Sequence, residues 1–185
     1  MTHPAYTESE ALAHDTFMAL MWSLSYPGKI YELPQSTNSS FHLIADTLLD
    51  IETSFYCSDS SLIGYFSKNG ARELNPERAS YHFYPILTDD MLETVKEAST
   101  GTLMYPDQSA TLIIGAKFSE GLSLKLTGPG INPASPNRIQ VDGISPAFLE
   151  LRDKAIRYPR GWDIYLVDCN QVIGLPRTTI ISIEE

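Results

Sequence analysis

The sequence predicts an α/β layered domain built on a mixed β-sheet, and three observations predict it. Segments with helical and strand periodicity alternate through the first half of the chain. Strands joined by short turns crowd the second half. Residues 110–116 are apolar on both faces at Leu112, Ile113 and Ile114, the pattern of a strand covered on both sides at a sheet centre. The chain of 185 residues, 43% of them hydrophobic, is long enough to bury a sizeable core.

Residues 1–10 read as a flexible arm, and residues 11–185 as one domain. Over 11–24, Leu12, Phe17, Leu20, Met21 and Leu24 recur at helical spacing. Asp15 is placed to cap a late start, and Ser25-Tyr26-Pro27-Gly28 ends the helix. A short strand follows at 29–33 and a polar loop at 34–40. Leu43, Ile44, Leu48 and Ile51 share one side of a helix over 42–51, and 53–57 is rich in β-formers. A helix over 60–68 stops at Asn69-Gly70. Residues 80–86 alternate as a strand with three aromatics, and Thr88 caps a helix over 89–98. After 110–116, Ser119-Glu120-Gly121 turns into a strand at 122–126. Residues 128–143, rich in Pro, Gly and Asn, read as a long loop. Ser145-Pro146 opens a helix to about 157, since proline suits a first turn. Strands at 163–167, 171–175 and 178–183 complete the chain.

The formal net charge of −10 argues against a nucleic-acid or anionic-membrane partner. The charge is uneven. Residues 1–120 hold 6 Lys+Arg against 16 Asp+Glu, while 121–185 hold 7 of each, so anion chemistry points to the C-terminal third. Cys57 and Cys169 lack CxxC spacing and read as small buried hydrophobes. Residues 1–10 lack a signal-peptide pattern, and no apolar run approaches the roughly 18 residues of a membrane span. These features predict a soluble, cytoplasmic protein.

No nucleophile, base and oxyanion donor assemble from the motifs. His3, His14, His42 and His82 have no metal-ligand spacing, and no metal site is predicted. The G-x-S-x-G elbow, the P-loop and G-x-G-x-x-G are absent. Asp89-Asp90 fits a helix N-terminus, and Glu184-Glu185 is a chain end. Lys125 is placed near a sheet end for a Schiff base, yet alternates between Leu124 and Leu126 as a solvent-facing residue does. Gly128-Pro129-Gly130 is open to three readings: ligand cradle, partner-docking edge or tight turn. Pro129 has no N–H to give a phosphate nest, which favours the turn. Tyr158-Pro159-Arg160-Gly161-Trp162-Asp163 and Leu175-Pro176-Arg177-Thr178-Thr179 hold arginines on stiff backbone. Arg160 and Arg177 then read either as an anion site or as structural partners of Asp163, with the structural reading ahead.

A series of segments resembles the PhnH family, a subunit of the bacterial carbon–phosphorus (C–P) lyase system for phosphonate breakdown. It runs from FMALMWSLSYPG (17–28) and the strand at 30–33 through Ser99-Thr100-Gly101-Thr102 and 110–114. It continues with Leu126-Thr127-Gly128-Pro129-Gly130-Ile131, Arg160-Gly161-Trp162-Asp163 and Pro176-Arg177-Thr178-Thr179. Residues 34–80 resemble the family only loosely. The resemblance implies a three-layer α/β/α fold with a mixed sheet, similar to the large domain of pyridoxal-phosphate (PLP) transferases but without the PLP site or another cofactor. It implies work with PhnG, PhnI, PhnJ and PhnL on the transfer of a phosphonate to the ribose of ATP with loss of adenine. The product then feeds cleavage by the iron–sulfur subunit PhnJ. It implies no established catalytic residues, and a homodimer in isolation, for which Trp22, Tyr26, Phe83 and Tyr84 offer either an interface patch or core. The candidate partner or ligand surface is Thr127, Gly128, Pro129, Gly130, Arg160, Asp163, Pro176, Arg177 and Thr178. The alternative is a stand-alone phosphate-ester or nucleotide-binding enzyme using Arg160 and Arg177.

Overall fold

A computed structural model describes residues 7–184. The first helix, α1 (Glu8–Ser25), starts earlier than the expected residue 11 because Thr7, not Asp15, caps it. The Thr7 backbone N–H donates to Glu10 Oε2 at 2.8 Å, and the Glu10 N–H returns a bond to Thr7 Oγ1 at 3.2 Å. The inner part of the predicted arm is therefore helix; residues 1–6 lie outside the described residues. The buried side of α1 is small and partly polar: Thr16, Ala19, Leu20 and Ser23. The predicted stripe is rotated, since Phe17 and Met21 are 51% and 36% exposed. Close approach explains the rotation. A Cβ on Gly174 would lie 2.5 Å from the Ser23 carbonyl carbon, so helix and sheet touch backbone to backbone there.

The next elements are β1 (Ile30–Glu32), α2 (Ser40–Leu48), β2 (Ser54–Cys57), α3 (Ser60–Phe66), β3 (Arg72–Glu73) and β4 (Tyr81–Tyr84). After α4 (Leu92–Glu97) come β5 (Thr111–Gly115), β6 (Lys117–Thr127), β7 (Asn137–Asp142) and α5 (Pro146–Ala155). The chain closes with β8 (Asp163–Asp168), β9 (Gln171–Leu175) and β10 (Ile180–Ile183). The main sheet has seven strands in the order β1-β9-β8-β5-β4-β2-β3. Strands β3, β2, β4, β5 and β8 pair in parallel, while β9 runs against both β8 and β1. The sheet is mixed as expected, and the apolar run in β5 is its middle strand.

Alternation along the central strands divides the core in two. Ile113, Phe83, Phe55 and Tyr165 meet α1, α2 and α3 on one face. Leu112, Ile114, Ile164 and Leu166 meet Val95 and Ala98 near α4, and Phe148 and Leu149 of α5, on the other. That second face also packs Leu124, Leu126, Ile139, Val141 and Ile181 from a three-stranded antiparallel sheet, β10-β6-β7. Helices and the small sheet thus share the layer on this face.

Strand β7 occupies the end of the predicted 128–143 loop. Its sequence alternates, burying Ile139 and Val141 between exposed neighbours. A bulge between Phe118 and Leu122 lets β6 continue through the predicted turn. The β8–β9 hairpin puts Cys169 at φ 49° and leaves it exposed, which corrects its expected burial; Cys57 is buried. No helix among the described residues is long and apolar enough to cross a membrane.

Candidate functional site

Arg177 lies between β9 and β10 and forms a dense polar knot. Its Nε and Nη2 meet the Asp163 carboxylate at 3.3 and 2.6 Å, and its backbone N–H donates to Asp163 Oδ1 at 2.8 Å. Nη1 donates to the carbonyls of Pro106 and Pro159 at 2.7 and 3.3 Å, and Nη2 also reaches Ser109 Oγ at 2.7 Å. Every guanidinium nitrogen of Arg177 is engaged and its charge is matched by Asp163. Here the structural reading of the sequence is the observed one. The knot ties the entrances of β5 and β8 to the exit of β9.

Arg152 is a different arginine. The buried side of α5 is Phe148, Leu149 and Arg152, so a charged group stands where the helical stripe calls for an apolar one. Ser145 starts this helix by accepting from the Phe148 N–H at 3.2 Å while donating to Asp89 at 2.6 Å. Arg152 is 1% exposed. Its Nη2 donates to the carbonyls of Pro176 and Thr179 at 3.1 and 2.9 Å. Among the described residues, Nε has no partner, and the nearest acid to Nη1 is Asp153 Oδ1 at 3.6 Å, beyond hydrogen-bond reach. Burial pulls the guanidinium down to about 10, against the pull of Asp153 and Asp163, so it stays charged at neutral pH.

Arg152 lines a groove of about 520 Å³. Pro129, Ile156, Tyr158 and Ile180 form its apolar walls, and Arg177, Thr178, Thr179 and Asp153 its polar ones. Thr179 Oγ1 is buried without a partner among the described residues.

The structure brings Pro129, Arg177 and Thr178 to this groove. The rest of the predicted surface is not among its lining residues. Thr127 ends β6 opposite Ile180. Gly128 has φ 129°, and a Cβ there would lie 2.7 Å from the Thr178 carbonyl oxygen. Gly130 has φ 80° and abuts the Ser25 carbonyl of α1 at 2.6 Å by the same measure. The Ile131 N–H closes the corner on Gly128 O at 3.2 Å. The Gly-Pro-Gly corner is thus a turn wedged between α1 and the start of β10. Pro176 gives its carbonyl to Arg152. Arg160 belongs to the turn 157–160, exchanging backbone bonds with Arg157 at 2.9 and 3.1 Å, and its Nε is buried without a partner among the described residues. Lys125 lies in the small sheet opposite Ser182 and Arg138.

A second cleft, of about 300 Å³, opens where β4, β5 and β8 end, the edge at which α/β sheets commonly bind ligands. Its charged lining is Lys117 and Asp142. His82 is buried and structural: its ring nitrogens face Ala79 O and Tyr84 Oη, each at 3.3 Å.

The fold and site define a mixed-sheet α/β protein whose charged centre is a structural arginine knot beside an arginine-floored groove. Residues 4–182 match the family described as bacterial phosphonate metabolism protein (PhnH), and the chain belongs to that family. It is 32% identical to a protein named as C-P lyase subunit HtxG from Stutzerimonas stutzeri, covering 91% of this chain and 85% of that protein. It is 29% identical to the alpha-D-ribose 1-methylphosphonate 5-triphosphate synthase subunit PhnH of Rhizobium meliloti (strain 1021), covering 97% and 95% of the two chains.

Proposed function

We propose that this chain is a subunit of the C–P lyase machinery in the cytoplasm. It supports transfer of a phosphonate to the ribose of ATP with loss of adenine, without a complete active site of its own. The observation that carries this reading is the family match across residues 4–182. The names of two relatives that span nearly the whole chain support it. The geometry adds that Arg177, one of the two anion-binding candidates in the sequence, has its donors committed to Asp163, Ser109 and backbone carbonyls. The mixed seven-stranded sheet supports the expected likeness to the large domain of PLP transferases.

The expected partners are PhnG, PhnI, PhnJ and PhnL. For a homodimer, the residues offered by the sequence divide. Phe83 and Tyr84 are fully buried core, whereas Trp22 and Tyr26 are 40% and 41% exposed and stack at 5.7 Å on α1. Coexpression of a tagged chain with the four partner subunits tests the proposal. A stoichiometric complex that survives size-exclusion chromatography is expected; a chain recovered alone overturns it.

A further inference from the structure

We infer that the Arg152 groove is a binding site for a small molecule that carries an oxyanion on an apolar body. A guanidinium offers five N–H donors in a planar fork. Arg152, almost wholly withdrawn from water, makes its hydrogen bonds through Nη2; Nε has no partner among the described residues, and Nη1 faces Asp153 Oδ1 at 3.6 Å as a loose ion pair. A buried cation with unused donors is costly, and the cost is relieved when an anion arrives. Thr179 Oγ1, also buried and unpartnered, stands in the same wall. Two residues with unsatisfied groups, from α5 and from the turn before β10, therefore line one groove. An oxyanion is the complement of both, since it accepts from the fork and from the hydroxyl.

The remaining lining sets the rest of the ligand. Pro129, Ile156, Tyr158 and Ile180 offer apolar contact, and about 520 Å³ holds a ring-sized body beside the anionic group. Two acids stand near Arg152. Asp163 is held by the Arg177 fork and is not free to compete. Asp153, 61% exposed and 3.6 Å from Nη1, is the internal counter-ion that a ligand displaces. The site goes beyond the proposed place in a complex and does not depend on it, because the groove lies within the isolated chain.

The probes are phenylphosphonate, benzoate and the neutral benzyl alcohol, titrated into the isolated full chain by calorimetry. Saturable binding of phenylphosphonate or benzoate with a Kd below about 10 mM is expected, and which of the two binds tighter tells phosphonate-type from carboxylate-type ligands. The Arg152 Nε–H resonance is expected to shift on addition of the anion. Ile180→Glu changes an exposed wall residue, so the fold is kept; it is expected to weaken binding about tenfold by charge repulsion, while Asp153→Asn tightens it several-fold. Thr179→Val is expected to weaken binding several-fold without lowering the melting temperature of the free chain. The site is overturned if neither anion saturates, if benzyl alcohol binds as tightly as the anions, or if Ile180→Glu and Asp153→Asn both leave affinity unchanged. None of these results bears on copurification with partner subunits, so this inference and the proposed function fail separately.

Discussion

Two arginines near the β8, β9 and β10 junction show how one residue type takes opposite roles. Arg177 meets an acid, a hydroxyl and two carbonyls, so its charge works as a fastener. Replacing it with Met leaves Asp163, only 23% exposed, without its counter-ion. Arg177→Met should therefore lower unfolding free energy by about 3–5 kcal/mol; a loss under about 1 kcal/mol in urea titration, the range of a surface pair, would mean the knot holds little together. His82 makes a second residue-level prediction. Burial lowers its folded pKa to about 4 from 6.5, with bonds to the Ala79 and Pro76 backbone opposing. Below pH 6.5 the unfolded chain takes up a proton that the folded chain refuses. Stability from this group is therefore complete above pH 6.5 and falls as pH drops toward 4, by on the order of 3 kcal/mol. His82→Gln should flatten that limb relative to the parent; parallel pH–stability curves would exclude the role. The sequence offers Arg177 or Arg160 as the structural partner of Asp163 without choosing between them, and the structure pairs Arg177. Arg152 was missed because a single basic residue near a helix end reads as solvent-facing. The available signal was its spacing from Phe148 and Leu149, which places it on the buried stripe.

At the scale of elements, the corner at residues 128–130 decides how the small sheet meets the large one. Gly128 combines a φ of 129° with a backbone oxygen where its Cβ would stand. Gly128→Val adds strain of about 1–3 kcal/mol and a clash with Thr178 that no side-chain rotation relieves. A fall of several degrees in melting temperature is expected, and an unchanged melting curve would show that β10 tolerates displacement. The same corner explains a misread element. Pro, Gly and Asn over 128–136 set a loop signal strong enough to cover the alternation of Ile139 and Val141, so β7 was hidden although its period was present. In α1 the error ran the other way. Phe17, Leu20 and Met21 have helical period, but period does not say which side faces a sheet. The close passage over Gly174 selects the small residues Ala19 and Ser23 instead.

For the whole molecule, the mixed sheet and its centre were readable because Leu112, Ile113 and Ile114 leave no polar face to expose. The packing of a second sheet into the third layer was not, since no local pattern tells a strand which layer it joins. The groove was readable only in part: Pro129, Arg177 and Thr178 carried local signals, whereas Arg152 and Thr179 acquire meaning from tertiary burial. Among the described strands, the edge strand β1 pairs with β9 alone, Ile30 opposite Ile173. Strand β1 thus leaves a ribosome long before the strand it pairs with. Until residue 175 emerges, α1 and β1 have no finished sheet to rest on, and Leu20 stays in water. The nascent chain therefore holds α1 and β1 without their native seat until β9 has emerged, and any subunit that recognises α1 in its native setting meets it only after that point.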